Sequence, residues 1–386
     1  MHAPGVSFAG DTGASLGHWK APKRVRDAET TVVGFSDVSP DVWDAIVPEG
    51  RRKPMHLWQW AACALDAYGE RTTARVILIG DPNRPDALIP LMRRKGTTGW
   101  HSLIGNEGGG VCIPCRDDDV APRIAEALVT FGQPVALGAL PAASPVIPAL
   151  CAARAGKAIV IARPADAPVT PFLDLDASWC DPAVHLKKKL VQSIRRRERR
   201  LAEMGEVQMD FLRPAPEEVD AALDAAIEVE ANSWKARSGS TLRSDVNQTR
   251  FVRCYAKALA EQKRLHFTFL RLDGKPIAMS IGETYGGTYW AHKTGYDEQF
   301  GKVAPGILMQ YHLVAHLAET GMRRIDFQGR LDGFKRTWTE QAVEASKVRI
   351  YPFNLRGAAA VAGDVARQGR NTFRARLRKR PAQLPA

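Results

Sequence analysis

The chain has 386 residues, 45% of them hydrophobic and 25% charged, with 32 glycines and 25 prolines. That length and balance exclude a wholly disordered chain, a collagen-like repeat and a small disulfide scaffold, and leave room for two domains, each with its own core. The net charge of +12 is concentrated: residues 185–205 carry eight basic and two acidic side chains, residues 367–380 seven basic and none acidic, and the remainder 39 basic against 40 acidic. That distribution argues against a broadly basic, nucleic-acid-binding body.

Residues 1–29 lack a basic start followed by an apolar run and so do not read as a secretory signal; their Gly, Ala, Ser and Thr content predicts a mobile leader. Six scattered cysteines predict no disulfide framework, and the expected location is cytoplasmic. In the first half a strand is expected at 30–35, helices near 40–47 and 58–68, and strands at 74–80, 87–93 and 100–105. A helix at 120–131 and strands at 135–140 and 157–162 follow. Residues 127–153 are uncharged for long enough to span a bilayer, but four prolines and two glycines break the run.

Residues 185–204 predict a linking helix, with Leu186, Leu190, Ile194 and Leu201 on one face, basic residues on the other and Gly205 at its end. The second half then reads strand 207–213, helices 216–234 and 245–262, and strand 264–272. A DGK turn, a strand from Pro276, a Gly286-Gly287 turn and strand 288–296 form a meander. A helix at 305–320 and strands at 323–328 and 348–353 complete it. Each half is strand, two helices, three-stranded meander, helix, strand, which suggests duplication. The fold class is therefore α/β in the mixed, α+β sense, not a doubly wound parallel sheet. The expected division is a leader 1–29, a first lobe 30–180, a second lobe 181–355 and a basic tail 356–386.

The segment most suggestive of chemistry is TYWAHKTGYDEQFGKVAPG, residues 288–306, just before a helix. First-turn amides lack helical partners and the macrodipole adds partial positive charge, so a strand–loop–helix junction with Gly301, Gly306 and Pro305 suits a phosphate or pyrophosphate, with Lys302 adding charge. It is neither a G-x-x-x-x-G-K-[ST] loop nor a G-x-G-x-x-G fingerprint. Asp326 stands at the C-terminal mouth of a strand, where a carboxylate can receive a proton from an amine, and Lys335 in the following loop can neutralise developing charge. As structure alone, the two would be an ion pair fastening the strand to its loop. Glu230, Trp234 and Lys235 in EANSWK are further candidates, although Trp234 also fits a core and Lys235 a solvated surface. His292 shares a strand face with Trp290; imidazole as a side-chain type suits a base, or the residue simply packs. Metal binding is not expected: Cys112 and Cys115 lack a second pair, and His312 and His316 lack the H-E-x-x-H glutamate. The GNEGGG run, 105–110, reads as a flexible turn.

Residues 185–340 resemble the GNAT-superfamily acetyltransferases associated with bacterial cellulose and exopolysaccharide biosynthesis. The resemblance is carried by KKKLVQSIRRRERRLAEMG, SWKARSG, RLDGKPIAMSIG, WAHKTGYDEQFGKVAPGILM and RRIDFQGRLDGFKRTW. The first half matches only as a degenerate GNAT-like lobe, and that tandem arrangement resembles the Fem-type aminoacyltransferases, whose donor is aminoacyl-tRNA. The resemblance implies acetyl-CoA as acyl donor, with its pantetheine along Thr294, Gly295 and Tyr296. Its pyrophosphate would lie at Lys302, Val303, Ala304, Gly306 and Ile307, and Asp326 and Lys335 are the family's marked pair. The expected activity is acetyl transfer to an amine or hydroxyl of a sugar, peptide or envelope precursor by direct attack, since no Cys or Ser is flanked by a His–Asp set. A Fem-type transferase using tRNA, or an inactive scaffold in polysaccharide synthesis, are the alternatives. The basic tail invites a membrane surface or a polyanion.

Overall fold

The computed structural model describes residues 30–69, 72–103, 113–239 and 241–378. The expected leader and the GNEGGG turn lie outside them. The strands are β1 (Thr30–Gly34), β2 (Thr72–Asp81), β3 (Arg84–Arg94), β4 (Trp100–Ser102), β5 (Val135–Pro141), β6 (Ala158–Pro164), β7 (Phe172–Asp174), β8 (Val207–Leu212), β9 (Leu265–Leu272), β10 (Lys275–Tyr285), β11 (Thr288–Tyr296), β12 (Arg324–Asp326) and β13 (Ala345–Pro352). The α-helices are α1 (Pro40–Asp44), α2 (Trp58–Tyr68), α3 (Ala121–Thr130), α4 (Val146–Ala153), α5 (Lys188–Ala202), α6 (Val219–Ala231), α7 (Lys235–Ser238), α8 (Val246–Glu261), α9 (Pro305–Glu319) and α10 (Leu355–Arg378).

Two mixed sheets result, of order β1-β2-β3-β4-β5-β13-β6 and β8-β9-β10-β11-β12-β7. Each is an antiparallel meander followed by one parallel pair, β4 with β5 and β11 with β12. The meander turns follow from the sequence: Asp273 and Gly274, and then Gly286 and Gly287, all take positive φ, which a two-residue hairpin turn requires. This is the duplicated α/β architecture expected, with one correction. The final strand of the second half, β13, lies in the first sheet, antiparallel to β5 and β6, while β7 from the first half lies in the second sheet, antiparallel to β12. The sixth place of each sheet is thus filled by the other half of the chain.

The lobes also share a core. Trp60, Cys63, Ala64 and Ala67 of α2 pack with Leu223 and Val229 of α6, Phe251 and Tyr255 of α8, and Phe267, Met279 and Trp290 of the second sheet. Cys63 and Cys254 form a disulfide between α2 and α8, a single cross-link that the scattered cysteines did not signal. Arg250 grips Asp66 through two bonds of 2.8 Å across the same boundary. The expected basic tail begins as a long helix, α10, which packs on β13. No described helix is long and apolar enough to cross a membrane.

Candidate active site

The site begins where a sheet comes apart. β11 pairs with β12 over three residues, ending at Trp290↔Asp326. Residues 291–296 of β11 and 327–330 after β12 then line a cleft of about 1260 Å³, together with Gly306 and Met309 at the start of α9. Along its other edge β11 follows β10, but the register passes from Ile281↔Lys293 to Gly282↔Ala291, so His292 is a bulge residue outside the ladder. Gly282 permits this close pairing: a Cβ there would lie 2.4 Å from the Tyr289 hydroxyl and 2.8 Å from the Trp290 carbonyl oxygen.

His292 lines the cleft and is held from both sides. Its Nε2 lies 2.8 Å from Glu283 Oε1, and its Nδ1 lies 3.1 Å from the Gln328 side-chain amide nitrogen. The ring packs against Trp60 and Tyr255 of the shared core. Glu283 is fully buried and also accepts from the Tyr255 hydroxyl, at 2.8 Å, and from the Arg264 guanidinium. With the Gln328 amide donating to Nδ1, the Nε2 edge of the ring is turned toward the Glu283 carboxylate, whose charge Arg264 balances. A positive charge gained at Nδ1 would be stabilised by that same carboxylate.

Asp326 sits behind this set and does not itself line the cleft. Its Oδ1 accepts the Gln328 backbone N–H at 2.8 Å. Burial pushes its pKa up from 3.8 to about 6, with the Gln328 N–H and the positive charge of Lys53 opposing the rise. The expected ion pair with Lys335 is not formed among the described residues. The Lys335 ammonium donates instead to the carbonyls of Gln328 (2.6 Å) and Arg330 (2.9 Å), with Asp332 at 3.8 Å, and burial lowers its pKa. Gln328 and Gly329 both have left-handed φ, of 49° and 62°. For Gln328 that conformation costs about 1 kcal/mol. The Lys335 contacts fix the strained turn, and Gly329 leaves room for the ammonium, which a Cβ would approach to 3.2 Å. Gln328 is 3% exposed, and its Oε1 has no hydrogen-bond partner among the described residues.

Glu230 and Lys235 are brought together but act as a brace. Fully buried Glu230 accepts from Lys235 Nζ and from the Leu242 amide, both at 2.8 Å, and Lys235 also donates to the Thr294 carbonyl of β11 at 2.8 Å. The pair pins α6 and α7 to the strand that lines the cleft, where Lys235 and half-exposed Trp234 form part of the wall. Sequence reasoning passed over Glu283 and Gln328. The detectable signal was a lone acid in an otherwise apolar meander strand, and a Gln-Gly pair after a strand.

On the donor side, Thr294, Gly295, Tyr296 and Gly306 line the cleft, whereas Lys302, Val303, Ala304 and Ile307 lie beyond it. Ala304 caps α9 with φ 46° and Pro305 occupies its first position. A Cβ on Gly306 would come within 3.3 Å of the Tyr296 ring, so glycine lets the helix start abut the end of β11. The residues present fit an acyl-CoA: a slot between parted strands for a narrow chain, then a 15-residue helix offering its N-terminus, with Lys302 exposed beside it. No group of three or more potential metal ligands occurs among the described residues.

Residues 188–336, which contain every one of these elements from α5 to Lys335, match the family model of the acetyltransferase (GNAT) domain. No curated protein matches the chain. Among solved structures, FemX is similar over 84% of this chain and 98% of its own, at 12% identity and a TM-score of 0.53. A conserved protein of unknown function from Bacteroides thetaiotaomicron VPI-5482 is similar over 82% and 97%, at 15% identity and 0.52. The C-terminal domain of a putative lysylphosphatidylglycerol synthetase from Agrobacterium fabrum is similar over 86% and 97%, at 12% identity and 0.51. At such identities the likeness is one of fold. Over residues 188–336 the second lobe is similar to the acetyltransferase (GNAT) domain, and the two-lobed fold recurs in these structures.

Proposed function

We propose that the chain is an acetyltransferase that moves an acetyl group from acetyl-CoA to an amine or hydroxyl of a sugar, peptide or envelope precursor, in the cytoplasm and by direct attack. The observation that carries this is the parting of β11 and β12 after Trp290↔Asp326, with a helix N-terminus at one end of the slot and His292 and Gln328 in its wall. The thioester supplies an activated acyl carbon. The His292 backbone, released from the ladder by the bulge, supplies the N–H that stabilises the carbonyl oxygen. Gln328 Oε1, a buried acceptor with no donor among the described residues, receives a hydrogen bond from the attacking N–H or O–H. His292 Nδ1 then takes the proton as the Gln328 amide gives way, Glu283 holds the ring and its new charge, and the proton passes to the departing CoA thiolate as the C–S bond breaks. Asp326 and Lys335 act through the Gln328 turn: one accepts its backbone N–H, the other is held by its carbonyl. An acceptor in exopolysaccharide or cellulose assembly is the narrower reading, supported by the sequence resemblance. Isothermal titration tests the donor assignment: the parent protein binds acetyl-CoA, and Gly306→Glu, which crowds Tyr296 and adds an anion at the helix start, abolishes binding. A parent protein that fails to bind would refute it.

The fold likeness to FemX, together with Lys187, Lys188, Lys189, Arg195, Arg196, Arg199 and Arg200 standing exposed on and beside α5, favours aminoacyl-tRNA as a second reading. Phosphate contacts of that kind are strongly salt-dependent. Filter retention of tRNA at low salt, lost at high salt, would support it; no retention at low salt removes it.

A further inference from the structure

The cleft extends past the donor slot to a second wall, which belongs to the first sheet and is basic. β13 alternates as a strand must. Val348 and Ile350 enter the first lobe's core, while Lys347, Arg349 and Tyr351 line the cleft. Arg94, from the end of β3, and Arg367, from α10, line the same wall. His101 on β4, which lines the same cleft, is held below its ordinary pKa, first by burial and then by the charges of Arg349, Arg367 and Arg94, with Asp364 opposing.

Few carboxylates answer them. Asp364 takes Arg349 Nη1 at 2.8 Å and the Tyr351 hydroxyl at 2.7 Å, with Arg367 Nη2 at 3.7 Å. Asp166 takes Lys347 Nζ at 2.7 Å and lies 3.8 Å from Arg330. Arg94 has no carboxylate partner among the described residues. Four cations of this wall, Arg94, Lys347, Arg349 and Arg367, are thus answered by two carboxylates, one of which also lies near Arg330 across the cleft. A single carboxylate needs one guanidinium fork; three guanidiniums, an ammonium and a phenol lining one cleft suit a group with more oxygens and more charge. Asp364 brings Arg349 and Tyr351 together as donors to one oxygen.

We propose that this wall binds the phosphate or diphosphate of the acceptor, so that the acyl group is delivered to a phosphorylated molecule anchored by Arg94, Arg349, Arg367 and Lys347. As an acceptor site it rests on the acyl-transfer reading; as an anion site it does not. The test titrates inorganic pyrophosphate into the full chain saturated with CoA, so that the start of α9 is already occupied. Binding is expected, weakened about tenfold or more by Arg94→Gln and by Arg349→Gln and tightened several-fold by Asp364→Asn, with CoA affinity unchanged in all three. Arg94→Gln breaks no ion pair, so its result does not depend on how the fold tolerates Arg349→Gln. Pyrophosphate that fails to bind, or binds equally to all variants, overturns the site. Should CoA fail to bind while pyrophosphate shows the expected pattern, the donor assignment falls and the anion site stands. Uridine diphosphate and farnesyl diphosphate then distinguish a soluble from a lipid-linked source: tighter binding of either supports the site and names the source, and binding of neither overturns it.

Discussion

Asp326→Asn should stabilise the protein at neutral pH while damaging its activity. In the fold the Asp326 carboxyl titrates at about 6, against 3.8 for the free side chain, chiefly because it is buried. The folded state therefore binds its proton more tightly than the unfolded state does. The stability tied to that proton is fully present below pH 3.8 and is lost as the pH rises through 6. A shift of roughly two units corresponds to on the order of 3 kcal/mol, the cost of holding a buried carboxylate ionised at pH 8. Asparagine keeps the acceptor for the Gln328 N–H and removes the charge. Urea unfolding at pH 8 should show the variant more stable by about 2–3 kcal/mol, an advantage that shrinks to nearly nothing by pH 4. Turnover should fall at least tenfold, because the turn that presents Gln328 loses its charged anchor. A variant whose stability difference is the same at pH 4 and pH 8 would refute the reasoning, because burial of the charge would then not be what Asp326 contributes.

Glu283→Gln leaves the guanidinium of Arg264, 14% exposed, without its buried counter-charge, and should cost about 3–5 kcal/mol in urea along with most of the turnover; an unchanged urea midpoint would count against the His292–Glu283–Arg264 set as a hub. Gly282→Ala places a Cβ 2.8 Å from the Trp290 carbonyl oxygen, which cannot yield, and should cost about 3 kcal/mol or more. Gly301→Ala is the matched control: nothing lies within 4 Å of its Cβ, and its melting temperature should stay within a degree or two of the parent's. Closing a loop across 191 residues, the Cys63–Cys254 bond should add about 2–5 kcal/mol. A reductant should thus lower the melting temperature to that of the Cys63→Ser/Cys254→Ser variant, and alkylation of both thiols in unfolded, unreduced protein would disprove the bond.

What was legible in the sequence divides along a physical line. The meander from β9 to β11 could be read because its turns demand residues that tolerate positive φ, and Asp273-Gly274 and Gly286-Gly287 supply them locally. The α9 start could be read for the same reason: Pro305 and Gly306 state a backbone requirement that no distant partner alters. The neighbour of a strand is not written in that way. The alternation in Lys347-Val348-Arg349-Ile350-Tyr351 says which residues face a core, yet it is equally satisfied beside β12 or beside β5, and only the whole fold decides. His292 is a case of the same kind, since a one-residue bulge changes the register of β10 and β11 without disturbing the local hydrophobic pattern. Glu283 was hidden because what makes it tolerable, the guanidinium of Arg264, lies 19 residues away across the meander. These illegible features are also the ones that make the site. The bulge puts His292 outside the ladder, and the buried acid orients it. The exchange of β7 and β13 carries a row of cations from the end of the chain into the first sheet, opposite the slot formed by β11 and β12. Had β13 closed the second sheet beside β12, those cations would have left the first sheet and the cleft would have lost its basic wall. The composite cleft is therefore a consequence of the strand exchange, and a reading of either half alone could not have found it.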